Sequence, residues 1–147
     1  MSRTPIPAEL ARLVRDRAKN RCEYCQLPQS CQEATFHIDH VEPRRAGGET
    51  NLENLAFACV TCSLKKGART SVVDPESGEA ISIFNPRSEV WDDHFSWTFE
   101  WCVVGLSPCG RGTVEALGIN RPAAIAIRSM LAELGRFPER STAKPGK

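Results

Sequence analysis

Apolar positions in this chain recur at helical spacing near the start and then switch to short alternating runs. Leu10, Leu13, Val14 and Ala18 form one stripe, with Arg12, Arg15, Asp16 and Lys19 elsewhere on the surface. That periodicity predicts a helix over 7–19, with Pro7 suited to its first turn and Asn20 at its end. Residues 26–34 are polar, carry Pro28 and Ser30, and read as a loop. Residues 36–41 alternate and predict a strand, which Pro43 stops. Residues 44–50 follow as a loop in which Gly47-Gly48 allows a tight turn. Residues 51–55 read as a turn or short helix, 55–58 as a second apolar strand, and 61–69 as a helix carrying Lys65, Lys66 and Arg69.

The pattern changes after residue 70. Residues 74–79 are a turn, 80–84 alternate as a strand, and Asn85-Pro86 breaks it. Phe95, Trp97, Phe99 and Trp101 alternate, which predicts a strand over 95–101 with one bulky face. Those rings read as core packing ahead of a base-stacking platform. Residues 107–112 read as a turn. Thr113 is placed to cap a short helix through Leu117, and Asn120 to cap a longer one from Arg121-Pro122 to Leu134, with Gly135 past its end. Residues 141–147 are polar and read as a flexible tail without function. There is no internal repeat and no low-complexity segment.

At 147 residues, 41% hydrophobic and 25% charged, the chain is long enough to bury a core of its own. No apolar run approaches the ~18 residues of a membrane span, and the first residues lack the apolar core of a signal peptide, so a cytoplasmic protein is expected. The net charge of +1 says nothing for nucleic acid, but its distribution does. Residues 1–70 hold 11 Lys and Arg against 8 Asp and Glu, whereas 71–147 hold 8 against 10. The basic excess lies with the chemistry described next, which suits an anionic partner there.

Four of the seven cysteines form two C-x-x-C pairs, Cys22/Cys25 and Cys59/Cys62. In a reducing compartment such pairs read as metal ligands before disulfides. Four thiolates suit tetrahedral Zn²⁺ and leave no open position, so the site is structural; the same ligand set also admits iron. Cys31, Cys102 and Cys109 are left over and read most simply as buried or free thiols, with a second metal site built on them as the alternative. Between the pairs lies Asp39-His40. A carboxylate is a hard oxygen ligand for Mg²⁺ or Mn²⁺, and an imidazole can take a proton from an attacking water. A structural histidine explains the pair by itself equally simply. His94 reads as structural.

The combination is more telling than its parts. Asp39-His40, Pro43, Gly47-Gly48, Asn51-Leu52, Asn54, Cys59-Val60-Thr61-Cys62 and Lys66-Gly67 resemble the signature of the HNH endonuclease family. The resemblance covers 22–67. Asp74-Pro75, Phe84-Asn85-Pro86-Arg87, Trp91, His94-Phe95 and Gly110-Arg111 also look like the C-terminal extension of a group of short bacterial HNH proteins. It implies an α+β protein: a ββα-metal core with a four-cysteine structural zinc site, an N-terminal helix and a strand-plus-helix extension. The organisation expected is a core over 1–70, an extension packed on it over 71–140, and the tail 141–147.

Carried over by position, the resemblance makes Asp39 a ligand of the catalytic cation and His40 the general base. Asn54 holds the His40 ring through its side-chain amide. Lys66, with Arg44, Arg45, Lys65 and Arg69, contacts phosphates. One position departs from the pattern: Ser63 stands where the family places Asn or His as a second ligand of the catalytic metal. A hydroxyl is a shorter and poorer ligand. His37 is a candidate substitute, because residues 37 and 39 of an extended strand share a face. The expected function is a metal-dependent endonuclease acting on DNA, with no membrane partner and no small-molecule cofactor. The alternatives are a zinc-stapled nucleic-acid-binding module silenced by Ser63, and a zinc-stabilised interaction domain.

Overall fold

The computed structural model describes residues 5–137. The tail expected over 141–147 lies outside the described residues, as do residues 1–4. The chain folds as α1 (Ala8–Arg17), β1 (His37–His40), β2 (Leu55–Ala58), α2 (Val60–Lys66), β3 (Ser71–Val73), β4 (Ala80–Ser82), α3 (Trp91–His94), β5 (Phe95–Trp97), β6 (Val103–Gly105), α4 (Pro108–Leu117) and α5 (Pro122–Glu133). The six strands make three separate antiparallel hairpins, β1–β2, β3–β4 and β5–β6, so the protein is of the α+β class. No helix among the described residues is long and apolar enough to cross a membrane.

The first half follows its hydrophobic pattern closely. α1 buries Val14, and Lys19 and Asn20 then turn into left-handed backbone, which stops the helix. Arg17 ties α1 to the next hairpin by donating to the carbonyls of Leu52 (2.9 Å) and Leu55 (2.6 Å). All four residues of β2 are buried. β1 pairs with β2 in a register that sets Asp39 opposite Ala56 and His40 opposite Leu55. The helix that follows, α2, packs back on β1.

The second half departs from the reading of its sequence in several places. The strand expected over 95–101 ends at Trp97; Trp101 takes φ +65° in the turn that reverses the chain into β6. The residues read as a turn at 107–112 are the start of α4. Ser107, not Thr113, is its cap, accepting from the Gly110 N–H at 3.0 Å, and Pro108 occupies the first turn. Gly110 sits inside this helix because a Cβ there would lie 2.1 Å from the His94 carbonyl oxygen; close packing, not a turn, requires it. Thr113 is instead buried, its hydroxyl accepting from the Phe84 N–H at 3.0 Å. Asn120 does not cap α5. Its amide pairs with both the N–H (2.7 Å) and the carbonyl (2.8 Å) of Val103, completing the edge of β6. β3, α3 and β6 have no counterpart in the sequence reading.

One apolar cluster runs through both halves, from Val14, Tyr24 and Phe57 to Phe84, Phe95, Trp97, Ile119 and Leu131. Polar ties cross the same boundary. Arg128 of α5 is fully buried and donates to the carbonyls of Ile119 (2.8 Å), Trp101 (3.0 Å) and Cys25 (3.2 Å), with its guanidinium 5.3 Å from the Trp97 ring centre. Trp91 donates to the Tyr24 carbonyl at 2.9 Å. Arg87 pairs with Glu23, whose other oxygen accepts from the Phe57 N–H at 2.9 Å. Of the aromatic cluster, Phe95 and Trp97 are therefore core and Trp91 and Trp101 pack against it, whereas Phe99 is 64% exposed.

Candidate functional site

Two groups of side chains flank the β1–β2 hairpin. The first is the cysteine tetrad. Cys22 and Cys25 lie on the turn after α1, Cys59 is the N-cap of α2, and Cys62 is in its first turn. The four sulfurs lie within 4.8 Å of one another, with Cys25 Sγ and Cys59 Sγ 3.6 Å apart. A zinc tetrahedron with Zn–S bonds of ~2.3 Å has edges of about 3.8 Å, so the spacing fits. Each pair also aims backbone N–H groups at its first sulfur. Tyr24 and Cys25 donate to Cys22, and Cys62 donates to Cys59, all at 3.4 Å. Arg121 adds a cation 3.5 Å from Cys59 Sγ.

The electrostatics of the tetrad point the same way. All four cysteines are buried. Hydrogen bonds from Cys22, Cys25 and Cys62 drive the Cys59 thiol far down, while burial drives Cys22 well up. Four thiolates packed this closely repel one another unless a cation sits among them. The donor set, the spacing and the N–H groups together fit zinc. All seven cysteines are free thiols.

The second group is built on β1 and α2. Ser63 Oγ donates to Asp39 Oδ1 at 2.9 Å and meets His37 Nδ1 at 2.7 Å. Asp39 and His37 thus reach one α2 residue from one face of β1, as strand alternation requires. A hydroxyl has a single proton. With that proton on the Asp39 bond, His37 donates through Nδ1–H and keeps a lone pair on Nε2. Burial raises the Asp39 carboxyl above its usual range; the Ser63 bond and the nearby Lys66, His37 and His40 act against that shift. A cation beside Asp39 would remove the cost of its buried charge.

His40, next along β1, is half-buried. Its Nε2 lies 2.8 Å from Thr50 Oγ1 and 3.3 Å from Arg44 Nε. Arg44 can only donate, so Nε2 is the nitrogen bearing the lone pair. Thr50 was not foreseen, and nothing in its sequence position marks it.

Two expected roles change. Asn54 does not hold the His40 ring. Its amide nitrogen donates to the carbonyls of Glu42 (3.0 Å) and Glu49 (2.9 Å), and its oxygen accepts from the Glu42 N–H (2.8 Å). Both N–H groups and the oxygen are thereby committed to closing the loop after β1. Gly48 fits inside that loop because a Cβ would lie 1.8 Å from the Glu42 carbonyl oxygen. Lys66 is not on a phosphate-facing surface. It is 0% exposed and donates to the carbonyls of Val41 (3.3 Å) and His40 (3.4 Å), the end of β1. Burial lowers its ammonium pKa, with Asp39 and Glu42 opposing.

The other basic residues are accessible to different degrees. Arg45 and Lys65 are exposed, Arg44 is half-buried against His40, and exposed Arg69 donates to the carbonyl of Lys65 (2.7 Å) at the end of α2.

The family model described as HNH endonuclease matches residues 22–69. No curated protein and no solved structure matches the chain. The matched stretch begins at the first cysteine of the tetrad and ends just past α2, enclosing both cysteine pairs, the β1–β2 hairpin and the Asp39–Ser63–His37 group. Residues 22–69 are therefore similar to an HNH endonuclease domain, and their cysteine cluster fits a zinc-stapled subgroup of that family.

Proposed function

We propose that this chain is a metal-dependent endonuclease that hydrolyses DNA phosphodiester bonds. The observation that carries the reading is the hairpin-and-helix frame that sets Asp39 2.9 Å from Ser63 and places His40 one residue on. In this reading Asp39 holds Mg²⁺ or Mn²⁺, with Ser63 and the Nε2 lone pair of His37 as its neighbours. The bound cation supplies stabilisation of charge on the scissile phosphate and the leaving 3′ oxygen. His40 takes the proton of the attacking water on Nε2. Arg44, which occupies that lone pair in the free protein, exchanges it for a phosphate oxygen as substrate arrives; Arg45, Lys65 and Arg69 contact phosphates nearby. Asn54 and Lys66 position the catalytic pair, the first by closing the loop after β1, the second by holding the carbonyls at its end. The free thiols and cysteine tetrad suit a reducing compartment such as the cytoplasm.

Plasmid nicking with Mg²⁺ or Mn²⁺ tests this. Wild-type protein should nick, and His40→Ala should be slower by about 10²- to 10⁴-fold, the usual scale of general-base loss. Equal rates would remove His40 from the mechanism. A second reading is favoured by Ser63 itself, whose hydroxyl is already taken up by Asp39 and His37. On that reading the chain is a nucleic-acid-binding module with little catalysis, and wild-type protein would bind DNA without nicking it.

A further inference from the structure

Outside the HNH domain, three side chains from separate segments converge. Glu89 precedes α3, His94 ends it, and Cys109 is in the first turn of α4. One ligand atom from each lies within 4.8 Å of the other two, the same closeness as in the cysteine tetrad. His94 Nε2 and Glu89 Oε2 are 3.4 Å apart. Tetrahedral zinc with N and O bonds of ~2.0 Å separates such atoms by about 3.3 Å.

We propose that Glu89, His94 and Cys109 form a second metal site, a zinc-type centre with three protein ligands and a solvent molecule in the fourth position. The donor set is mixed nitrogen, oxygen and sulfur, the set that zinc accepts and Mg²⁺ or Ca²⁺ does not. Two of the three ligands are held from behind. Glu89 Oε1 accepts from the Asn85 N–H at 2.8 Å, which leaves Oε2 toward His94. His94 Nδ1 meets Ser107 Oγ at 2.7 Å, which leaves Nε2 toward Glu89. Such outer partners fix the orientation of metal-binding His and carboxylate groups.

Cys109 is buried, and burial holds its thiol up at about 11, so an unligated thiolate is disfavoured there. A bound cation reverses that preference. Access is open: the Glu89 side chain is 34% exposed and that of His94 19%. The rings of Phe84 and Phe95, centred 5.8 and 6.4 Å from that of His94, wall the other side. Without a metal, the same atoms make only a 3.4 Å His94–Glu89 contact beside a thiol.

Co²⁺ uptake by the full-length protein, with zinc retained in the tetrad, distinguishes the two. The site predicts one equivalent of Co²⁺ giving a thiolate-to-cobalt charge-transfer band in the near ultraviolet. The HNH cation group holds no sulfur, so Co²⁺ bound there gives no such band. Cys109→Ser should abolish the band with zinc content unchanged, and Glu89→Gln should weaken uptake at least about tenfold while keeping the fold, read by circular dichroism. Absence of the band in wild-type protein overturns the proposal. So does a band that survives Cys109→Ser, because it would then arise from cobalt displacing zinc in the tetrad.

Discussion

The cysteine tetrad and the Asp39 group sit on the same hairpin and helix, yet they are built in opposite ways. The tetrad is closed. Its sulfurs are buried, three backbone N–H groups point at them, and four ligands leave no position for a substrate. The Asp39 group is only part-buried, mixes a carboxylate, a hydroxyl and an imidazole, and stands beside a histidine whose Nε2 meets Thr50 and Arg44. The first arrangement fixes geometry. On the proposed function, the second offers a carboxylate to a cation beside a histidine that Thr50 and Arg44 engage. On that reading, the difference teaches that rigidity and reactivity are divided between neighbouring groups. The short α2, with Cys59 and Cys62 at one end and Ser63 next to them, is where they meet.

If that division is right, breaking the tetrad should have the largest effect. Cys22→Ser or Cys59→Ser should lose bound zinc and with it the folded state, since such sites contribute on the order of 10 kcal/mol to small domains. Metal analysis of wild-type protein should find one tightly held zinc in the tetrad, with circular dichroism following its loss. A variant that keeps its thermal unfolding unchanged without zinc would break the comparison.

The extension provides a metal-free counterpart. Asp74 is buried and bound by Arg111 through Nε (2.9 Å) and Nη2 (3.0 Å), and that bond holds its carboxyl well below the usual range. A carboxyl with a lowered folded-state pKa stabilises above its unfolded pKa, near 4, and loses that contribution as pH falls toward the folded value. Asp74→Asn should therefore lower Tm markedly at pH 7, and the gap to wild type should close as pH drops below about 4. A gap independent of pH would mean that packing, not charge, holds this turn.

Lys66 sharpens the comparison from inside α2. Its ammonium ties the helix to the end of β1. Lys66→Met should lower stability by about 1–3 kcal/mol by leaving two carbonyls unpaired, yet leave the salt dependence of DNA binding unchanged. Arg45→Ala should do the reverse, with little change in Tm and a shallower salt slope. A reduced slope in Lys66→Met would return that residue to the phosphate contacts.

The smallest change is Ser63→Asn. It exchanges the hydroxyl between Asp39 and His37 for an amide that reaches further. The Mg²⁺ or Mn²⁺ concentration giving half-maximal nicking should fall, on the order of tenfold, without a change in Tm of more than a degree or two. An increase in the metal requirement would show that the hydroxyl linking Asp39 and His37 is the better arrangement for this chain.

What the sequence made legible depended on distance along the chain. The cysteine pairs, the alternation of β1 and the apolar run of β2 are short-range signals, and their spacing suffices to place them. Asn54 and Lys66 carried recognisable positions but not their side-chain directions. Only the folded loop shows that Asn54 spends its amide on Glu42 and Glu49, and that Lys66 turns inward. The α4 start was hidden because Pro108, Gly110 and Gly112 read locally as a turn. The reason Gly110 is there, the His94 carbonyl against it, is a tertiary contact. Glu89, His94 and Cys109 likewise lie on three segments with no motif to join them.

The most direct test of the division is Asp39→Asn, which keeps an acceptor for Ser63 and removes only the charge. Nicking rates with saturating Mn²⁺, measured alongside zinc content and Tm, give the answer. The account predicts a loss of about 100-fold or more with zinc content and Tm unchanged, the scale expected when a catalytic cation loses its anionic ligand. A rate equal to wild type would contradict it.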